Sequence, residues 1–127
     1  MVSRTRGEVE AEIAQAIVKF EREYMGRGPE DTRAFIFEDV VFVRLRGVLT
    51  PAEKQLAKAE DSSAGRKLIK QIRQELLEKA RVLLETIIAD ALGFKVSSLH
   101  TDISTSTGER IIVFTLDGKP EFRGEKR

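Results

Sequence analysis

The sequence predicts an α+β fold, a two-layer sandwich in which helices pack on one face of a four-stranded, mainly antiparallel sheet. Three observations support this class. Residues 66–92 lack proline and glycine and repeat apolar side chains every three or four positions, which predicts a long helix. Segments 33–46 and 95–116 each alternate apolar and polar residues on both sides of a turn, which predicts two hairpins. The resulting order is α-β-β-α-α-β-β, with helices before each hairpin.

Length and composition indicate one domain over residues 1–117 and a flexible charged tail over residues 118–127. The 22 Lys and Arg residues nearly balance 21 Asp and Glu residues, so no nucleic-acid partner is expected. The absence of cysteine excludes disulfides and thiolate metal sites. We expect a cytoplasmic protein without direct membrane insertion, because the sequence contains neither a signal-type segment nor a long apolar run.

The first helix is predicted to begin near Thr5 and to end near Met25. Thr5 followed three residues later by Glu8 is the pattern of a capping box. Glu21 is assigned to the solvent-exposed face of this helix. The buried face is predicted to contain Val9, Ile13, Ala16, Ile17, Phe20 and Tyr24.

A second capping box, Thr50-Pro51-Ala52-Glu53, predicts a short helix that ends near residue 59. Residues 60–65 then form either a hinge or part of a nearly continuous helix. In the long helix that follows, Arg73 is assigned to the charged face. The stripe predicted to pack on the sheet, or to form a subunit seam, contains Ile69, Ile72, Leu76, Leu83 and Ile87.

Four strands are predicted, at residues 33–38, 40–46, 95–104 and 110–116. Glu38-Asp39 is predicted to form the turn of the first hairpin. The last strand is apolar on both faces, which indicates a central strand or cover by a second subunit. Phe42 and Val113 belong to the sheet face away from the helices. We therefore expect a partner to cover part of that face and the protein to be a homodimer.

Arg44 and Arg46 leave the same face of the second predicted strand, and Arg27 lies in a glycine-flanked loop that can approach them. Guanidinium groups beside hydroxyls such as those of Thr101 and Ser104 are suited to bind a small anion or a carboxylate. The alternative is cross-strand pairing of these arginines with Asp or Glu.

His100 and Asp102 are two residues apart on one strand and share a face, so they are further candidates for ligand binding. Such a pair can orient a histidine as a general base or supply half of a metal site. The alternative is a partly exposed histidine bonded to a neighbour, because the chain has no other histidine. We predict no catalytic residue, no metal site and no cofactor, and we do not expect an enzyme.

Three stretches resemble a family of small bacterial proteins called YbcI-like or MpsC-like. They read YMGRGP at residues 24–29, GVLTPAE at 47–53, and HTDIS followed by TGER within 100–110. Together with the helix lengths, the resemblance extends over residues 3–116. It transfers no catalytic residue to this chain.

The resemblance implies a role in a Na⁺-translocating system that generates membrane potential and is linked to inorganic-carbon uptake. It also implies an antiporter-like membrane subunit and a large soluble protein as partners. The expected function is that of a non-enzymatic accessory or regulatory protein, held at the inner membrane only through a protein partner. The alternative is a sensor domain that binds a small anion or a metabolite.

Overall fold

The computed structural model describes residues 3–58 and 62–125. Its element order confirms the predicted α+β class. The elements are α1 (Arg6–Tyr24), β1 (Asp31–Phe37), β2 (Val40–Arg46), α2 (Pro51–Lys58), α3 (Ser62–Leu92), β3 (Val96–Ser104) and β4 (Glu109–Leu116). The predicted hinge lies partly outside the described residues, and α3 begins four residues earlier than predicted. No helix of the described ranges is both long and apolar enough to cross a membrane.

The sheet has the strand order β1-β2-β4-β3, and every neighbouring pair is antiparallel. β4 is therefore a central strand, as its two apolar faces predicted. This order also brings the end of β2, the start of β1 and the β3–β4 turn to one end of the sheet. The chain reverses between β1 and β2 at Glu38, whose φ of +55° is the left-handed conformation that a tight turn uses.

One face of the sheet is buried beneath α1 and α3. Its side chains alternate along each strand, so that Val41, Val43 and Leu45 of β2 lie inside while their neighbours lie on the other face. From α1, the core receives Val9, Ile13, Ile17 and Phe20. From β4, it receives Ile112, Phe114 and Leu116.

The buried stripe of α3 differs from the predicted one. Ile69 is buried as predicted, but Ile72 and Leu83 are exposed. The helix carries two apolar stripes about 100° apart, and spacing alone cannot distinguish them. The small side chains of Ala80 and Ala91 lie on the buried stripe and allow close packing. The full set of buried apolar residues on α3 is Ile69, Leu77, Ala80, Leu84, Ile88 and Ala91.

Charged side chains also lie inside the core, which corrects two predictions. The sequence predicts that Glu21 and Arg73 are exposed to solvent. In the structure, Glu21 is 1% exposed and Arg73 is 4% exposed. The Glu21 Oε1 atom lies 3.5 Å from Nη1 of Arg110, which is also buried. Arg73 Nε and Nη2 donate to the Glu53 carboxylate at 2.9 and 2.7 Å, and Nη2 also donates to the carbonyl of Val48 at 2.8 Å. Two carboxylates therefore balance two guanidinium groups.

Burial changes the protonation behaviour of this cluster. Burial raises the pKa of Glu21, although the nearby guanidinium groups of Arg110 and Arg73 oppose the change. Burial likewise lowers the pKa of Arg110, and the Glu21 carboxylate partly offsets this. Glu21 and Arg110 thus each offset part of the cost of burying the other's charge.

The C-terminal segment packs against α1 as far as Glu125, the last described residue. The sequence predicts a flexible tail from residue 118. Phe122 is buried, and the guanidinium carbon of Arg6 lies 4.8 Å from the centre of its ring. Arg6 also pairs with Glu125 at 2.8 Å. Lys119 and Arg123 form further ion pairs, with Glu38 and Glu8. One buried aromatic side chain and several ion pairs thus attach a segment that its composition alone describes as polar.

Replacing Glu21 with alanine should lower the free energy of unfolding by about 3–5 kcal/mol, because Arg110 would remain buried without its partner. Urea unfolding followed by circular dichroism measures this loss. Glu23→Ala, an exposed site on the same helix, is the matched control and should change stability by less than about 0.5 kcal/mol. The double variant Glu21→Leu with Arg110→Met should be more stable than either single variant. Equal losses of stability for Glu21→Ala and Glu23→Ala would contradict a stabilising role for Glu21 beside the buried Arg110.

Candidate functional site

A basic cavity of about 780 Å³ opens at the end of the sheet where β2 ends and the β3–β4 turn lies. α2 and the beginning of α3 form its other walls. The side chains that line it include five cations and two carboxylates. These are Arg44, Arg46, Lys54, Lys58 and Arg66, with Glu30 and Glu109.

Both carboxylates of the cavity are already paired with an arginine. Arg44 Nε donates to Glu109 Oε2 at 2.7 Å, and Arg27 Nη2 lies 3.5 Å from Glu30 Oε1. Four cations remain that have no ion pair with a carboxylate among residues 3–58 and 62–125. These four unpaired cations are Arg46, Lys54, Lys58 and Arg66.

Gly47 shapes the wall between β2 and α2. Gly47 has φ of +66°, and a Cβ atom there would lie 2.5 Å from the Glu30 side chain. A side chain at this position would therefore displace Glu30 from the cavity wall. The next residue, Val48, donates its amide to the carbonyl of Gly108 at 3.1 Å. This hydrogen bond joins the segment between β2 and α2 to the β3–β4 turn.

Glu53 fixes α2 and hence the positions of Lys54 and Lys58. The Thr50 amide donates to Glu53 Oε1 at 2.9 Å, and the Glu53 amide donates to Thr50 Oγ1 at 3.2 Å. This reciprocal pair confirms the predicted capping box. Burial alone would raise the pKa of Glu53, but hydrogen bonds from Arg73 and Thr50 outweigh it and hold the pKa below its ordinary value.

The structure brings some of the predicted site residues to the cavity. Arg44 and Arg46 line it, and Arg27 contacts it through Glu30. Ser104 lies behind the turn, where its hydroxyl accepts from the Thr107 amide at 3.3 Å and bonds the Ser106 hydroxyl at 3.2 Å. Arg44 thus pairs across strands with Glu109, as the alternative interpretation predicted. Arg46 faces the cavity without a carboxylate partner within the described ranges, and anion binding there stays a prediction.

His100, Thr101 and Asp102 lie away from the cavity. His100 is on the exposed sheet face, and Asp102 on the same face lies 3.4 Å from Lys70 Nζ. Thr101 points to the helix side, where its hydroxyl donates to the carbonyl of Ile111 at 2.8 Å and accepts from Arg110 Nε at 3.4 Å. No hydrogen bond joins His100 to Asp102 in the described part of the chain.

Sequence reasoning missed the cations that come from the helices. Lys54 and Lys58 are four residues apart and share a face of α2, a signal that the sequence contains but that solvated helices also contain. Arg66 joins them only because α3 packs against α2, where Gly65 lies against the backbone of Leu56. Because lysine and arginine only donate hydrogen bonds, the unpaired cations fit an anionic ligand, and the hydroxyls of Ser106 and Thr107 supply further donors.

Comparison with known proteins finds two relationships. The family described as "Na+-translocating membrane potential-generating system (MpsC)" matches residues 5–118. The chain is also 40% identical over 125 residues to "Uncharacterized protein YbcI" of Bacillus subtilis (strain 168), and the match covers 98% of each chain. No solved structure matches the chain. The three motifs quoted above lie in the matched region. Residues of 47–53 and of 107–110 line the cavity, whereas none of 24–29 or 100–104 does.

Replacing Glu53 with glutamine should lower the free energy of unfolding at pH 7 by about 1.5–3 kcal/mol, the usual worth of hydrogen bonds to a charged group. Because the pKa of Glu53 is lowered in the folded protein, its ionised form stabilises the fold. That contribution is complete above the ordinary pKa of 4.5 and is lost as the pH falls through the lower folded value. Urea unfolding between pH 7 and pH 3 measures the difference.

The stability gap between wild type and Glu53→Gln should therefore narrow below about pH 4.5. Glu75→Gln, at an exposed site on α3, is the matched control and should follow the wild type across this range. A gap that stays constant down to pH 3 would show that Glu53 does not stabilise the fold through its charge.

Proposed function

We propose, from the premise that this chain belongs to the MpsC family, that it is a non-enzymatic accessory or regulatory component of a Na⁺-translocating system that generates membrane potential. The family match over residues 5–118 carries the proposal, because it includes every element of the fold. The cavity supports binding as the mode of action, since its unpaired cations are suited to hold a ligand.

The proposed partners are an antiporter-like membrane subunit and a large soluble protein, in a system linked to inorganic-carbon uptake. In this proposal the protein is cytoplasmic and reaches the inner membrane through these partners. Its unpaired cations give it a concentrated positive surface despite a formal net charge of only +1. An acidic segment of a partner is the chemistry that such a surface recognises.

Affinity purification of the tagged protein from gently solubilised cells of its source organism tests this role. We expect mass spectrometry to recover an antiporter-like membrane subunit reproducibly. Arg46→Glu combined with Lys54→Glu should reduce recovery by about tenfold or more, because charge reversal at an interface makes attraction repulsive. Lys19→Glu with Lys79→Glu, two exposed sites away from the cavity, is the matched control. Repeated recovery of no membrane component would contradict the accessory role.

A second candidate function is that of a small-anion sensor, favoured by the four unpaired cations. An anion that binds only the folded protein stabilises it by about 2.7 kcal/mol at a hundredfold excess over Kd. For a domain of this size, this corresponds to a rise in Tm of roughly 10 °C.

Thermal unfolding with sodium bicarbonate or sodium phosphate, compared with sodium chloride at equal ionic strength, measures this effect. We expect at least one of the two anions to raise the Tm of the wild type. Arg46→Gln with Lys54→Gln should abolish the rise, and Lys19→Gln with Lys79→Gln should preserve it. An equal rise in both double variants would place the binding site elsewhere, and no rise with either anion would exclude both as ligands.

A further inference from the structure

The sheet face opposite the helices is not covered by any described part of the chain. Phe35 is 48% exposed and Phe37 is 73% exposed on this face. The ring of Phe35 lies 6.3 Å from that of Phe42, and Phe42 and Val113 are half-buried beside it. The centre of the face is thus apolar, as expected of a surface that binds a protein. We name this surface the open sheet face.

The strand register arranges the open sheet face in rows across β1, β2, β4 and β3. One row is Phe35, Phe42, Val113 and His100. The adjacent row is Arg33, Arg44, Ile111 and Asp102. In this second row Arg33 lies on the edge strand β1 and Asp102 lies on the edge strand β3. The two residues are at equal distances from the midline between β2 and β4.

We propose that a second copy of this chain packs on the open sheet face, with a two-fold axis parallel to the strands above that midline. Such an axis exchanges β1 with β3 and β2 with β4 but preserves the rows. Arg33 of each copy then faces Asp102 of the other, so this contact is formed twice by symmetry. Phe42 faces Val113, and Phe35 faces His100.

Charge complementarity selects this axis over the alternative. A two-fold axis perpendicular to the strands, above the row of Phe42, would exchange the rows instead. Arg33 would then face Phe37 of the other copy, and Asp102 would face Ser98. Neither charge would then meet an opposite charge on the other copy, so covering them would gain no attraction between the copies. Of these two axes, the one parallel to the strands places Arg33 opposite a carboxylate and keeps Phe42 opposite an apolar side chain, while Arg44 comes to face Ile111.

Arg33 and Asp102 are each already paired within their own chain, and these pairs must open or be shared for the contacts between copies to form. Arg33 Nε is 3.7 Å from Asp31 and Lys70 Nζ is 3.4 Å from Asp102, and all four side chains are largely exposed. Exposed pairs of this kind contribute little and can be exchanged at small cost. Arg44 lies nearer the axis, but its charge is already balanced by Glu109 at 2.7 Å. Packing of two sheets about 10 Å apart is ordinary for proteins.

A competing apolar surface exists on α3, where Leu68, Ile72, Val82 and Leu83 are exposed. It supplies the matched control for the experiment, because substitutions there remove a similar apolar side chain from another face of the same fold. Sedimentation equilibrium measures the mass, which is 14.3 kDa for one chain. We expect the wild type to form a dimer of twice this mass, Phe35→Ser to weaken dimerisation by tenfold or more, and Leu83→Ser to leave it unchanged.

Charge reversal then tests the axis. Arg33→Asp and Asp102→Arg should each raise the dimer dissociation constant by about tenfold, since each replaces two attractive contacts with two repulsive ones. The double variant should return to within about threefold of the wild type, because the opposite charges face each other again. A monomeric wild type up to millimolar concentration would overturn the proposal. Dissociation by Leu83→Ser instead of Phe35→Ser would also overturn it, as would a double variant as weak as the single ones.

Discussion

The buried charges hold four separate elements of this fold together. Glu21 belongs to α1, Arg110 to β4, Arg73 to α3 and Glu53 to α2, so one cluster reaches from the sheet to all three helices. Its charges are poorly screened by water, and each is stabilised by a neighbour of opposite sign. Arg73 also bonds the carbonyl of Val48. The chain that forms the cavity wall is thus attached to the core by the same guanidinium group that holds α2.

Local patterns predicted the elements of this fold, because local physics determines them. The capping pairs at Thr5 and Thr50 begin their helices, and period-two alternation assigns the sheet faces. The errors occurred where distant partners decide the outcome. Glu21 is predicted to be exposed because an unpaired charge is costly to bury. In the structure it is buried beside Arg110, a residue that is distant in sequence. The two apolar stripes of α3 were also indistinguishable until the sheet was placed against one of them.

The candidate cavity was predictable only where one strand supplies its residues. Arg44 and Arg46 follow from alternation along β2, since both leave the same face. Lys54 and Arg66 required knowledge of how α2 packs on α3. The β3–β4 turn reaches this end of the sheet because β4, and not β3, pairs with β2. No pattern within either hairpin encodes that strand order, so the sequence indicated the arginines without the cations that join them.

The cavity and the open sheet face meet at one ion pair. Arg44 lines the cavity and also lies in the row that contains Arg33 and Asp102, and its partner Glu109 belongs to the cavity wall. An anion that competes with Glu109 for Arg44 would change the charge that a second copy meets near the two-fold axis. Dimerisation would in turn change the affinity of the cavity for that anion by the same factor, because coupling between two binding equilibria is reciprocal. The two proposals together therefore predict that anion binding in the cavity and assembly on the sheet are linked through Arg44.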